Sequence, residues 1–256
     1  MIETSSEAIE AFHLTFLAHL SKDPNKAVIK GGQNLRLFFE SVRHSDDLDM
    51  EVSVTSRETL KKKVDKILAL ARFRKALLLY GIEIEQVSTP KQTDTTQRCT
   101  QRWKMTLKVK GLSEPVHTRI EFSRRESNAK SVLGPVAKPI ADAYGSSPFS
   151  ASHYGLAESI AQKVSTMAGR QRTRDLFDLA MLLERYARDV GSVTALRPPG
   201  KQARAALKRA SEMTFDAYKA EVLPYLEKSK RKEHGSRQRW EEKKAVVVRG
   251  LEIFSR

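Results

Sequence analysis

The sequence predicts an α+β protein, in which a mixed α/β domain over residues 1–130 is followed by a mainly helical domain over residues 131–256. Helical and strand patterns alternate through the first 125 residues and end in a run of strands, which is typical of a mixed sheet with helices packed on it. Residues 126–150 contain Gly, Pro and Ser with little periodicity, and we interpret them as a linker. From about Leu156 onwards nearly every segment has helical periodicity.

The first domain is predicted element by element from its apolar spacing. Strict alternation from Asp47 onwards indicates a strand with one buried face. The amphipathic pattern that ends at Gly81 indicates one long helix. Residues 88–101 form a polar loop or an extended hairpin between two later strands. The predicted helices cover residues 7–20, 33–42 and 57–80, and the predicted strands cover residues 47–54, 82–87, 103–109 and 117–123.

The second domain is predicted to be a series of helices with one interruption. Residues 190–200, which end in Arg197-Pro198-Pro199-Gly200, break the helical pattern because proline cannot continue a helix interior. The predicted helices cover residues 156–168, 174–189, 201–210, 214–228 and 237–254.

The composition indicates a partner with negative charge. The 46 Lys and Arg outnumber the 31 Asp and Glu, which gives a formal net charge of +15 and favours encounter with nucleic acid. A basic surface that serves solubility, or that docks on an acidic protein, is the alternative. Cys99 is the only cysteine, so an intramolecular disulfide and a thiolate-rich metal site are excluded. Without a membrane-length apolar run or a signal-like start, we expect a cytoplasmic protein with no membrane partner.

The first candidate metal ligands lie on the first predicted strand. Asp47 and Asp49 point to the same face, roughly 7 Å apart, and carboxylates this close repel each other unless a cation lies between them. Oxygen ligands favour a hard ion such as Mg²⁺, although a lone D-x-D is weak evidence and a solvated acidic strand face is the alternative. Gly31-Gly32 precedes a helix, where backbone amides can approach phosphate. Glu121 lies between apolar residues on a later strand, where an inward-facing carboxylate is costly without a cation or a hydrogen-bonding partner; a Glu that faces water on an edge strand is the alternative.

The order of glycine pair, helix, D-x-D strand and later acidic strand resembles the nucleotidyltransferase superfamily that includes DNA polymerase beta. The resemblance implies that Gly31 and Gly32 hold a nucleoside triphosphate. It also implies that Asp47, Asp49 and Glu121 bind Mg²⁺ for in-line attack on the α-phosphate.

A second block of the sequence narrows the resemblance from the superfamily to one family. Residues 158–179, ESIAQKVSTMAGRQRTRDLFDL, place three cations near one helix face. The block is similar to the K-x-x-A-L-x-x-R-x-x-x-R-D-L-Y-D-L pattern of the AbiEii/AbiGii toxin family, which includes the MenT toxins. That family's first motif, G-G-x-x-L-R-L-F followed by S-x-D-L-D, matches residues 31–38 and 45–49. The nucleotide-binding candidates implied by both blocks are Gly31, Gly32, Ser45, Lys163, Arg170, Arg174 and Asp178.

Roles within the second block are also implied by the family. Lys163 would grip the nucleotide phosphates, and Asp175 or Asp178 would either orient Arg174 or activate the RNA hydroxyl. Ser45 lies beside the metal ligands, where a modification would silence the enzyme. That hypothesis loses its support if mass spectrometry of protein made with its antitoxin finds Ser45 unmodified.

The resemblance implies a Mg²⁺-dependent nucleotidyltransferase toxin of a toxin–antitoxin or phage-defence system, which adds nucleotides from an NTP to tRNA acceptor ends and blocks translation. Its partners would be RNA and a cognate antitoxin protein. Transfer to a protein hydroxyl or to a small molecule, and a non-catalytic nucleic-acid-binding protein, are the alternatives.

A basic tail, residues 228–244, lies outside the resemblance. Basic side chains beside an aromatic residue can grip phosphate and stack on a base. An inward-packed Trp240 on a solvated helix is the alternative. We predict that neutralising Lys230, Arg231 and Lys232 weakens RNA binding and leaves NTP binding intact.

Overall fold

The computed structural model describes residues 2–21, 27–53, 55–90, 100–124 and 130–256. The chain forms two compact units, one of residues 1–40 and 44–154 and the other of residues 41–43 and 155–256. Cys99 and most of the loop predicted over residues 88–101 lie outside the described residues. Within the described part, no helix combines the length and the apolar character that crossing a membrane requires.

The first unit is built on a mixed seven-stranded sheet with the order β3-β4-β5-β2-β1-β7-β6. Strands β2 and β5 are parallel, as are β1 and β7, and the other neighbouring pairs are antiparallel. The strands are β1 (Val28–Lys30), β2 (Asp47–Glu51), β3 (Ile82–Ser88), β4 (Thr100–Val109), β5 (Val116–Ser123), β6 (Ser131–Pro135) and β7 (Ser150–Tyr154).

Helices cover one face of this sheet. Alternate residues of β2 and β5, including Leu48 and Phe122, are fully buried in one hydrophobic core with residues of the first, third and fourth helices. The helices of the unit are α1 (Ser5–Leu20), α2 (Gly31–Phe39), α3 (Arg57–Ala69), α4 (Ala71–Leu78) and α5 (Lys138–Ala143).

The predicted single helix over residues 57–80 is wrong in one respect, because Leu70 breaks it into α3 and α4. Leu70 has extended backbone, with φ −67° and ψ 123°. The break lets Phe73 turn into the core, where its ring centroid lies 5.9 Å from that of Phe12 and 6.4 Å from that of Phe16. Aromatic packing of this kind outweighs the continuity of an amphipathic pattern.

The interpretation of residues 126–150 as a linker is also wrong for the part that the structure describes. β6, α5 and the first residue of β7 lie there, and they belong to the first unit, so the boundary between the units falls at Tyr154 rather than at residue 130. β6 is an edge strand whose residues are mostly exposed. An exposed edge strand leaves little hydrophobic periodicity in the sequence, which explains why it was missed.

The second unit is helical, as predicted. Its core includes Phe177, Tyr218 and Trp240, and the last two rings lie 5.0 Å apart. The helix predicted over residues 214–228 is shorter, because Pro224 lies in a 3-10 turn that follows α9 and lacks the N–H that a helix interior needs. The helices are α6 (Leu156–Gly169), α7 (Thr173–Asp189), α8 (Gly200–Glu212), α9 (Phe215–Glu221), α10 (Lys228–His234) and α11 (Arg237–Ser255).

Candidate functional site

The three predicted metal ligands lie on one face of the sheet, opposite the core. In the parallel pair of β2 and β5, Asp47 is opposite Arg119 and Asp49 is opposite Glu121. Since side chains alternate along a strand, burial of Leu48 directs its two neighbours to the other face. The structure therefore brings the D-x-D pair and Glu121 onto neighbouring strands.

Two of these carboxylates are paired with arginines in the structure. Asp47 Oδ2 lies 2.7 Å from Arg119 Nη2, and Glu121 Oε2 accepts a hydrogen bond of 2.7 Å from Arg102 Nε. Among the described residues, no group of three or more His, Cys, Asp or Glu side chains is already arranged to hold a metal ion. Mg²⁺ is held in many nucleotide sites by one or two carboxylates together with substrate phosphates. The Asp47–Asp49 pair fits that requirement, and a metal ion bound there would compete with Arg119 for Asp47 and with Arg102 for Glu121.

The glycine turn lies against one of these aspartates. Gly31 begins α2 with a φ of +70°, and a Cβ added there would lie 3.0 Å from Asp49 Oδ2. Within the described residues, no side chain caps the N-terminus of α2, and the next residue, Gly32, also lacks a side chain. A helix N-terminus directs its first amides outward and favours an anion there. The turn and the Asp49 carboxylate can thus approach one phosphate chain together.

Buried polar side chains support the loop that leads into β2. Gln33 Nε2 donates to Ser45 O at 3.0 Å and lies 2.7 Å from His13 Nδ1. Thr118 Oγ1 donates to Asp46 O at 2.6 Å and lies 2.8 Å from His13 Nε2. Gln33 Nε2 is a donor, so His13 Nδ1 must accept from it. The hydroxyl proton of Thr118 is already donated to Asp46 O, so Thr118 Oγ1 accepts from His13 Nε2. A ring that accepts at one nitrogen and donates from the other is neutral. Burial lowers the pKa of His13 to about 3, consistent with that state.

A second buried group lies beside the first. Glu10 Oε2 accepts from Arg36 Nε at 2.8 Å and lies 2.6 Å from His44 Nδ1. Burial alone would raise the pKa of Glu10, but His44 and Arg36 outweigh it and hold this pKa below its usual value. The residues that precede the D-x-D pair are therefore anchored from α1 and α2.

In the second unit, Lys163 lies among buried carboxylates. Its Nζ donates to Asp175 Oδ1 at 3.0 Å and to Asp178 Oδ2 at 2.7 Å. The spacing of three residues places both aspartates on one face of α7. Arg43 donates to both oxygens of Asp178, at 2.8 and 2.7 Å, and Arg170 donates to both oxygens of Asp175, at 2.8 and 3.1 Å.

These contacts keep both aspartates ionised. Burial would raise the pKa of each group, but Lys163 and Arg170 outweigh it at Asp175, and Arg43 and Lys163 outweigh it at Asp178, so both pKa values lie below the usual range. An ammonium has three N–H donors, and hydrogen bonds to described residues use two of those on Lys163.

Other predicted residues are placed differently. Arg174 is half-buried on α7 and forms no ion pair with any residue that the structure describes, so the aspartates orient Arg170 and Arg43 in its place. Ser45 is half-buried and its Oγ donates to Asp47 O at 3.2 Å. That bond connects Ser45 to the backbone of the first predicted metal ligand.

The basic tail is partly structural. Lys230 pairs with Glu233 at 3.2 Å. Arg231 donates to the carbonyls of Leu226 and Pro224. Lys232 is exposed, whereas Trp240 is 1% exposed. Trp240 therefore packs inward, as in the alternative interpretation of the tail, and is not exposed for stacking on a base.

Comparison with known proteins identifies the family. The family model described as "Nucleotidyl transferase AbiEii toxin, Type IV TA system" matches residues 15–253. The chain belongs to the AbiEii family. No curated protein matches the chain in sequence.

Solved structures agree with this AbiEii assignment at the level of fold. JHP933 from Helicobacter pylori has 18% identity and a TM-score of 0.64, with 100% of this chain and 94% of that chain covered. The MenT4 nucleotidyltransferase toxin from Mycobacterium tuberculosis H37Rv has 18% identity and a TM-score of 0.57, with 98% and 94% covered. The predicted family and fold class are confirmed, and the AbiEii protein described here is a nucleotidyltransferase of a toxin family.

Sequence reasoning missed several residues that hold the candidate site of this AbiEii protein. Arg43 lies only two residues before the motif that starts at Ser45. The sequence already offered cations near Asp178 in the second block, so no feature of the sequence indicated that an arginine from outside that block pairs with it. His13 and Gln33 looked like members of ordinary amphipathic helices. A polar residue at a core-facing helical position was the only available signal.

Proposed function

We propose that this toxin transfers a nucleotide from an NTP to RNA, most specifically to a tRNA acceptor end, in a Mg²⁺-dependent reaction that blocks translation. The observation that carries the proposal is the approach of the Gly31 turn to Asp49, where an added Cβ would lie 3.0 Å from the carboxylate. A phosphate-binding turn and a metal-binding carboxylate at one point suit an NTP with its Mg²⁺. The type IV toxin family adds an antitoxin protein as the expected partner, and phage defence is a proposed setting.

Asp47 and Asp49 would hold the metal, and Glu121 would join them after separating from Arg102. When bound, Mg²⁺ would stabilise charge on the attacking and leaving oxygens of an in-line displacement. The amides of Gly31 and Gly32 would bind the triphosphate. The Gln33 and Thr118 bonds to the preceding loop would fix the direction of the two aspartates.

Lys163 would contact the nucleotide phosphates, and Arg170, whose side chain is 50% exposed, would add a second cation. Asp175 and Asp178 act as positioning residues in this proposal. Each accepts from two cations and has a lowered pKa, so neither is suited to remove a proton from the attacking hydroxyl.

RNA as the acceptor is supported by the net charge of +15, which a small-molecule acceptor would not require.

The position of Ser45, two residues before Asp47 and hydrogen-bonded to its carbonyl, keeps it in the proposal as part of the nucleotide site. Its modification by the antitoxin remains a hypothesis.

The test incubates the purified protein with Mg²⁺, total tRNA and each α-labelled NTP in turn. Asp49→Asn is the test variant. Asp142→Asn is its matched control, because Asp142 is an exposed carboxylate in the same unit whose ion pair, among the described residues, is with exposed Lys138 on α5. Label on tRNA that is lost in Asp49→Asn and kept in Asp142→Asn supports the proposal. Label on protein or on a small product would overturn RNA as the acceptor, and no transfer with any NTP would overturn the reaction.

A further inference from the structure

The open face of β4 and β5 carries a second feature, a set of basic side chains beside the candidate metal ligands. Inward residues such as Trp103 and Met105 are buried, so their neighbours point to the opposite face. We call this set the basic face; its members are Arg102, Lys104, Lys108, His117 and Arg119.

The basic face is continuous with the carboxylates. Arg102 is the register partner of Glu121, and Lys104 is the register partner of Arg119, which itself pairs with Asp47. The side chains of Arg102 and Arg119 are 44% and 41% exposed. A ligand that follows this face therefore passes directly to the D-x-D strand.

Two lysines of the basic face lack a salt-bridge partner among the described residues. Among the described residues, Lys104 and Lys108 form no ion pair, although Glu83 is the register partner of Lys108. Uncompensated cations on an exposed strand attract a polyanion.

The spacing of the basic face suits a nucleic-acid strand. Residues two apart on one strand present side chains roughly 7 Å apart. The bases of a stacked nucleic-acid strand rise about 3.4 Å per nucleotide, and the winding of the backbone places neighbouring phosphates farther apart than this rise. Arg102 and Lys104 could therefore contact separate phosphates of one strand. The open sheet surface accepts an extended chain and does not enclose a small anion.

We propose that the basic face binds the backbone phosphates of the RNA acceptor strand and leads its end to Asp47 and Asp49. This inference rests on the proposed function, because it assigns a surface to the RNA substrate of the same site. Contacts to phosphate would position the strand without reading its sequence.

The test measures the affinity of labelled tRNA by fluorescence anisotropy over a range of salt. The variant is Lys104→Gln with Lys108→Gln, which leaves the candidate metal ligands and their arginine partners in place. The matched control is Lys66→Gln with Lys75→Gln, two exposed lysines on α3 and α4 that form no ion pair with any described residue.

Two lost phosphate contacts on a single strand reduce the slope of log K against log salt by about 1.4. At about 0.1 M salt this corresponds to a loss of affinity of roughly 25-fold, and the loss vanishes near 1 M. We expect this loss in the test variant only, with the unfolding temperature and Mg²⁺–NTP binding unchanged in both variants.

An unchanged RNA affinity in the test variant would overturn the inference and leave the proposed function intact, with an acidic protein as the remaining partner for this face. An equal loss in the control variant would also overturn it, because the effect would then follow net charge alone. Failure of the wild-type protein to transfer nucleotide to RNA would instead overturn the proposed function.

Discussion

Gly31→Ala separates the role of the glycine turn from its effect on folding. Gly31 has a φ of +70°, and an added Cβ would lie 3.0 Å from Asp49 Oδ2. Gly145 provides the matched control, because its φ is +54° and no atom of the described residues lies within 4 Å of its added Cβ. A left-handed alanine costs about 1–2 kcal/mol at either position, and the entropy that alanine removes from the unfolded chain is common to both.

Both variants should therefore unfold at lower temperature, by about 2–8 °C for a chain of this size. Only Gly31→Ala displaces the Asp49 carboxylate and places a methyl group where phosphate would approach. We expect it to lose nucleotide transfer on the order of 100-fold, together with Mg²⁺–NTP affinity measured by calorimetry. If Gly31→Ala kept the affinity and rate of Gly145→Ala at equal stability, the assignment of a phosphate turn would be refuted.

Three further predictions concern buried charge and the tail. Asp178→Asn removes a buried counter-charge from two cations and should lower the free energy of unfolding by about 3–5 kcal/mol, against less than about 0.5 kcal/mol for exposed Asp142→Asn; urea unfolding measures both, and equal losses would contradict the assignment. Because the pKa of Asp178 is lowered on folding from about 3.9, its contribution is complete above about pH 5 and declines below about pH 4. The pKa of His13 falls from 6.5 to about 3 on folding, so stability should decrease as pH falls from about 7, by up to about 1.4 kcal/mol per unit; His13→Gln should flatten this dependence, and an unchanged pH profile would count against the neutral ring. Lys230→Gln with Lys232→Gln should weaken RNA binding and leave NTP binding intact, and an unchanged RNA affinity would show that the tail is not part of the RNA surface.

Much of the fold could be predicted because its main elements bury one face and leave a periodic pattern. The strict alternation around Leu48 gave β2, and the apolar spacing around Phe177 gave α7. β6 could not be predicted, since an exposed edge strand has little pattern to detect. The break at Leu70 was equally hidden, because it depends on packing of Phe73 against rings distant in sequence.

The candidate site could be predicted only where residue type and spacing themselves imply chemistry. Asp47 and Asp49 were candidates from the sequence because two carboxylates on one strand face repel each other unless a cation lies between them, and because their order after the glycine pair resembles the nucleotidyltransferase pattern. Arg43 and His13 were missed because their contacts depend on tertiary structure: Arg43 meets an aspartate 135 positions along the chain, and His13 meets Thr118 across 105 positions. A single sequence carries no signal for such pairs.

The two sets of ion pairs differ in how readily they can exchange partners. Asp47 with Arg119, and Glu121 with Arg102, are pairs in which the arginine is 41% or 44% exposed. Such pairs contribute about 0–1 kcal/mol, so a divalent cation and a phosphate can displace them at small cost. Asp178 is 0% exposed, and breaking its pairs costs about 3–5 kcal/mol. The carboxylates of the sheet are therefore suited to bind exchangeable ligands. Asp178 is instead suited to hold its cations in place throughout the reaction.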